Sequence, residues 1–137
     1  MKHASKPILL IEDDSVDVMT VQRALKEIGV GNPVVALEHG EAALAYLRAP
    51  DRGRPCIILL DLNMPIMSGI EFLREAKHDA ALRSIPVVVL TTSAEQHDKL
   101  SSFELGVAGY MAKPVDYRAF VEVMRQIDRY WTVSEMP

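Results

Sequence analysis

Ile57-Ile58-Leu59-Leu60-Asp61 is the stretch on which the fold turns. Four apolar residues run without alternation and stop at an acid. A strand with one wet face alternates apolar and polar residues, whereas one covered on both faces reads as a continuous apolar run. Ile8-Leu9-Leu10-Ile11 has the same form and stops at Glu12-Asp13-Asp14. Val87-Val88-Val89-Leu90 has it too and stops at Thr91-Thr92-Ser93. Val34-Val35-Ala36-Leu37 and Ala108-Gly109-Tyr110-Met111-Ala112 are two further candidate strands, the second running into Lys113-Pro114.

Segments of helical period separate these runs. Val18, Val21, Leu25 and Ile28 share one face of a first helix, with Asp14 or Ser15 to cap it and Gly29 to end it. Ala43, Leu44 and Leu47 mark a second helix, stopped by Pro50. Ser68-Gly69-Ile70-Glu71 has the form of a capping box opening a third. Ser93-Ala94-Glu95-Gln96 opens a fourth that ends at Gly106, and Asp116 caps a fifth with the stripe Phe120, Met124, Ile127 and Trp131. Five βα units in alternation imply a parallel sheet with right-handed crossovers and helices on both faces. The expected fold is α/β, a flavodoxin-like (βα)5 doubly wound five-stranded parallel sheet in the order 2-1-3-4-5. One domain is expected over 7–131, with short tails at 1–6 and 132–137.

Composition fits this and narrows the function. The chain has 137 residues, enough to bury a core without disulfides or a structural metal. Its net charge of −4, with no Lys/Arg cluster, disfavours nucleic acid and anionic membranes as partners. Cys56 is the single cysteine, so neither an internal disulfide nor a zinc–thiolate cluster is available, and a buried, inert thiol is expected. No apolar run has the length of a membrane span, and the first residues lack the form of a signal peptide. A cytoplasmic location is expected. His3, His39, His78 and His97 show no ligand spacing and read as surface or loop residues.

The polar residues fall where chemistry would need them. In a parallel sheet of this order, strands 1, 3, 4 and 5 are neighbours, so Glu12, Asp13, Asp61, Thr91 and Lys113 converge at one edge. Two carboxylates about 4 Å apart repel by roughly 4 kcal/mol at an effective dielectric near 20, a strain relieved by a proton or a cation. Hard oxygen ligands with room for water suit Mg2+ best, with Mn2+ and Ca2+ as alternatives. Asp13 and Asp61 are the candidate direct ligands, Glu12 acts through water, and the carbonyl of Asn63 supplies a further oxygen. A cation, an ammonium and a hydroxyl around one carboxylate suit phosphoryl transfer, which depends on positioning and charge stabilisation. Asp61 is then the candidate nucleophile, with Lys113 and Thr91 on the phosphoryl oxygens.

These motifs resemble the receiver domain of two-component response regulators. The resemblance is carried by Ile8-Leu9-Leu10-Ile11-Glu12-Asp13, by Leu59-Leu60-Asp61-Leu62-Asn63-Met64-Pro65 with Ser68-Gly69, by Pro86-Val87-Val88-Val89-Leu90-Thr91, and by Gly109-Tyr110-Met111-Ala112-Lys113-Pro114. It implies that Asp61 accepts a phosphoryl group from a sensor histidine kinase and that the protein is no turnover enzyme. Glu12, Asp13, Asp61 and Asn63 would serve Mg2+. Thr91 and Tyr110 would act as the switch, and Asn63 and Ser93 would tune dephosphorylation. A cis peptide is expected at Lys113-Pro114. Signalling would use the face of the fourth helix, fifth strand and fifth helix, which would also form a homodimer, with Phe103, Tyr117 and Val121 as candidates. The stretch 50–55, Leu90-Thr91-Thr92-Ser93 and Tyr130-Trp131 are similar to single-domain regulators that pair with phytochrome kinases. A DNA-binding or enzymatic output segment after the receiver is not expected, and the protein is expected to act by binding a partner or by passing the phosphoryl group on.

Rival readings are a flavodoxin-type electron carrier, an aspartyl-phosphate phosphohydrolase and a phosphorylation-independent receiver-like adaptor. Acids after strand 1 would repel a flavin phosphate. The phosphohydrolase usually has a second acid two residues after its nucleophile, where this chain has Asn63. The adaptor is the serious rival, although it leaves the transfer residues without a task.

Overall fold

The strands β1 (Ile8–Ile11), β2 (Val34–Leu37), β3 (Ile57–Asp61), β4 (Val87–Thr91) and β5 (Gly109–Ala112) form one sheet in the order β2-β1-β3-β4-β5. Every neighbouring pair is parallel. The computed structural model describes residues 6–27, 29–49, 54–62, 67–91, 107, 109–112 and 117–134; at 91, 110, 112, 123 and 127–134 it describes the backbone.

Strand periodicity explains why the apolar runs are continuous. Ile8, Leu10, Ile57, Leu59, Val88 and Leu90 project to one face of the sheet. There they meet Val21, Ala24 and Leu25 of α1 (Ser15–Glu27) and Phe120, Val121 and Met124 of the C-terminal helix (Tyr117–Ser134). Leu9, Ile11, Ile58, Leu60, Val87 and Val89 project to the other face. They meet Ala43 and Leu44 of α2 (Gly40–Arg48) and Phe72, Leu73 and Ala76 of α3 (Gly69–His78). Each large side chain so buried contributes roughly 1.5–3 kcal/mol. Two-sided burial thus excludes polar residues from the central strands until their carboxyl ends. The doubly wound sheet expected from the sequence is the one observed.

The helix ends follow local chemistry. Asp14, not Ser15, caps α1: its Oδ1 accepts from the amides of Val16 at 2.8 Å and Asp17 at 3.3 Å. Gly29 follows α1 with φ of 80°. Its N–H donates to Lys26 O at 3.1 Å, and that of Val30 donates to Leu25 O at 2.9 Å, a Schellman pair that needs a left-handed residue. Ser68 caps α3, its Oγ accepting from the Glu71 amide at 3.2 Å. The cap of α2 is a residue read from sequence as a surface or loop histidine: His39 Nδ1 accepts from the Ala42 amide at 3.1 Å. Ile28, Pro50, Asp116 and the fourth helix expected over 93–106 lie outside the described residues.

Two residues expected on an association face are committed elsewhere. Val121 is buried in the α1-side core, and Tyr117 packs against that core with the Arg23 guanidinium over its ring at 5.4 Å. The α1–C-terminal helix contact uses them because their side of the helix meets α1. Phe103 lies outside the described residues.

The His39 cap makes a measurable claim. His39→Ala is expected to lower stability by about 1 kcal/mol in urea denaturation, and His39→Asn to retain most of it, since Asn caps as well or better. An unchanged midpoint for His39→Ala would show that the Nδ1 contact carries no stability.

Candidate functional site

Register brings the acids together. Ile11 of β1 pairs with Leu60 of β3, so the next residues, Glu12 and Asp61, sit side by side at the carboxyl edge. Both extend the rows that face α1, which run 8, 10, 12 and 57, 59, 61. Asp13 follows as the chain leaves the strand towards α1. Glu12, Asp13 and Asp61 each offer a carboxylate oxygen within 4.8 Å of the others. Asp61 is fully buried, Glu12 is 2% exposed and Asp13 is exposed, so the cluster opens to solvent on the Asp13 side.

Backbone hydrogen bonds hold the edge in place. The Glu12 amide donates to Leu37 O at 2.9 Å and the Leu62 amide to Leu90 O at 3.1 Å. Glu12 Oε1 accepts from the Asp14 amide at 3.1 Å. The three consecutive acids therefore divide their work: Asp14 caps α1, and Glu12 and Asp13 line the cluster. Three carboxylates this close repel strongly, and a divalent cation relieves that repulsion. The donor set is all oxygen, without the sulfur or imidazole that selects zinc or copper, and the exposed Asp13 leaves room for water. These residues fit Mg2+ or Mn2+.

The other expected site residues are placed in part. Asp61 pairs with Leu90, so Thr91 lies one residue beyond it at the end of β4. Thr91 pairs with Ala112, the last residue of β5, and Lys113 comes next in the chain. Tyr110 lies within β5 opposite Val89. Asn63, Ser93, Lys113 and Pro114 lie outside the described residues. Cys56 is buried as expected, at the opposite end of β3 from the acids, where Asn32 Nδ2 donates to its Sγ at 3.6 Å and to Lys6 O at 2.9 Å.

Sequence reasoning gave three further features of α1 and α3 no part in the site. Asp17 is buried at 7% exposure, in the stripe of α1 that continues through Val21, Ala24 and Leu25. Val16 and Met19, on the same helix, are exposed at 68% and 67%. Gly69, the first residue of α3, lies directly against the backbone of Asp61.

Residues 8–125 match the response regulator receiver domain. The chain belongs to that family. Response regulator Rcp1 of Synechocystis sp. is 38% identical over 130 residues, covering 92% of this chain and 88% of that protein. The Mn2+-bound form of Rcp1 superposes with a TM-score of 0.77 at 38% identity, covering 92% of this chain and 94% of that one. The bacteriophytochrome response regulator RtBRR gives 0.79 at 42% identity, over 88% of this chain and 76% of that one. The phosphorylated cyanobacterial phytochrome response regulator RcpA gives 0.79 at 37% identity, over 96% and 97%. This receiver is therefore similar to regulators associated with phytochromes, and it is not a turnover enzyme. Among the described residues no helix is long and apolar enough to cross a membrane.

The cluster has a thermodynamic signature. Saturating Mg2+ or Mn2+ is expected to raise the melting temperature of the wild type, by about 2.7 kcal/mol of added stability at 100 times the Kd. Asp13→Ala is expected to be as stable as the wild type or more so without metal, because it relieves crowding, and to lose most of the metal-induced rise. A large fall in its metal-free melting temperature would contradict the electrostatic account.

Proposed function

We propose that this receiver accepts a phosphoryl group on Asp61 from the phosphohistidine of a sensor kinase and signals through the face built around β5. The observation that carries the reading is the buried Asp61 at the centre of an acidic cluster, at the carboxyl end of the middle strand. In the transfer step an Asp61 carboxylate oxygen attacks phosphorus. The N–P bond of the donor breaks, and its electron pair stays with the imidazole. Glu12, Asp13, Asp61 and the Asn63 carbonyl would hold Mg2+, or Mn2+ in its place. The bound ion would neutralise charge on Asp61 and on the phosphoryl oxygens. Lys113 would pair with one phosphoryl oxygen and the Thr91 hydroxyl with another. Movement of Thr91, followed by Tyr110, would report the phosphorylated state, and Asn63 and Ser93 would set its lifetime.

The partner follows from the same reading. A phosphohistidine donor must bring its imidazole to the open, Asp13 side of the cluster. Val16 and Met19 offer an exposed apolar contact about one turn into α1 from there. The likeness to phytochrome regulators supports a phytochrome-type kinase in the cytoplasm. Homodimerisation through the β5 face belongs to this reading, without Tyr117 and Val121 as its seal. A phosphorylation-independent adaptor would leave the crowded acids without a purpose.

Acetyl phosphate with Mg2+ is expected to add one phosphoryl group to the wild type, read by intact mass, and Asp61→Asn is expected to abolish it. Equal labelling of Asp61→Asn would place the acceptor elsewhere. If phosphorylation drives association, sedimentation of the beryllofluoride-treated protein is expected to shift towards the dimer; identical sedimentation would remove dimerisation from the proposal.

A further inference from the structure

The start of α3 is in contact with the backbone that carries Asp61. A Cβ built on Gly69 would lie 2.5 Å from the carbonyl oxygen of Asp61, 2.5 Å from Cα of Leu62 and 2.9 Å from its Cδ2. The first two are backbone atoms, which cannot swing aside as the tip of a side chain can. The Gly69 amide also donates to Leu62 O at 3.1 Å, tying the start of α3 to the residue that follows β3.

Neither side of this contact can yield easily. On the strand side Asp61 is paired with Leu90, the Leu62 amide donates to Leu90 O, and Leu62 is buried in the α2/α3-side core. On the helix side Ser68 caps the first turn, the Phe72 amide donates to Ser68 O at 3.0 Å, and Ile70, Phe72 and Leu73 are buried. A side chain at position 69 would therefore displace the Asp61–Leu62 peptide. The Asp61 carboxylate would move relative to Glu12 and Asp13.

We propose that Gly69 is a positioning residue for Asp61: its bare Cα lets the first turn of α3 serve as a rigid stop that aims the phosphoacceptor carboxylate into the acidic cluster. This rests on the phosphoacceptor reading above. It adds a steric determinant outside the cluster, acting on metal binding and on phosphoryl uptake alike. Gly40 provides a matched comparison. Its added Cβ would meet Phe72 Cβ at 3.0 Å and Met67 Sδ at 3.1 Å, both side-chain atoms and neither belonging to Asp61.

The test compares wild type, Gly69→Ala and Gly40→Ala at a temperature where circular dichroism shows each to be folded. Two quantities are read: the Mn2+ Kd by calorimetry, and the rate constant of phosphorylation by acetyl phosphate at saturating Mn2+. Gly69→Ala is expected to weaken Mn2+ binding about fivefold or more and to slow phosphorylation by about 10- to 100-fold, because small misplacements of a reacting group have effects of that order. Gly40→Ala is expected to remain within about twofold of wild type in both, even if it melts earlier. A merely structural glycine would lower the melting temperature and leave both constants unchanged, which would overturn the proposal. Equal losses in both variants would overturn it as well. Should Gly69→Ala not fold, amide exchange of the wild type decides: Gly69 is expected to be as protected as the β3 amides, and rapid exchange there would refute the rigid stop. Failure of acetyl phosphate to label the wild type would sink the phosphoacceptor reading instead, while the Mn2+ affinities and the exchange data still judge Gly69.

Discussion

Mutual repulsion among Glu12, Asp13 and Asp61 is the constraint around which the rest of the structure is arranged. Two of the three are buried and their oxygens share a space under 5 Å wide. Two such charges about 4 Å apart repel by roughly 4 kcal/mol at an effective dielectric near 20. A fold that keeps the acids together against this repulsion needs the backbone carrying them to be held firmly. Here β3 is covered on both faces and hydrogen-bonded to strands on both sides, and β1 is likewise flanked by β2 and β3. The sheet supplies that rigidity, and holds the three carboxylates as an all-oxygen donor set that a divalent cation would fit.

The surroundings of the acids are shared between structure and site. Asp14 gives its carboxylate to the start of α1, while its amide donates to Glu12. The entry of α1 is thereby tied to the orientation of an acid in the cluster. On the other side, Gly69 sets α3 against Asp61. Two helices on opposite faces of the sheet thus begin beside the acidic edge, α1 at the Asp14 and Glu12 carboxylates and α3 at the backbone of Asp61 and Leu62.

Much of this was legible in the sequence because it rests on period and position. The unbroken run before Asp61 announced a strand covered on both faces, and the acids and the threonine at strand ends announced the shared edge. Ser68 and Gly29 carried local signals for helix ends, and the structure uses them so. What escaped has tertiary causes. His39 caps α2 although His is an uncommon N-cap, so no propensity singles it out. Asp17 occupies a core row of α1, but a charge in that row reads as solvent-facing until the packing is seen. Tyr117 and Val121 are apolar residues on an amphipathic helix; residue type says that they need cover, not whether α1 or another protein supplies it. Gly69 was visible only as a member of a motif, since the need for glycine lies in what approaches it.

The central claim is that the three acids hold one divalent ion against Asp61. Crystals grown with Mn2+ and measured for its anomalous scattering test this most directly. The account expects a single strong peak bonded to carboxylate oxygens of Asp13 and Asp61, and lost in Asp13→Ala. A peak away from these residues, or none at saturating Mn2+, would contradict it.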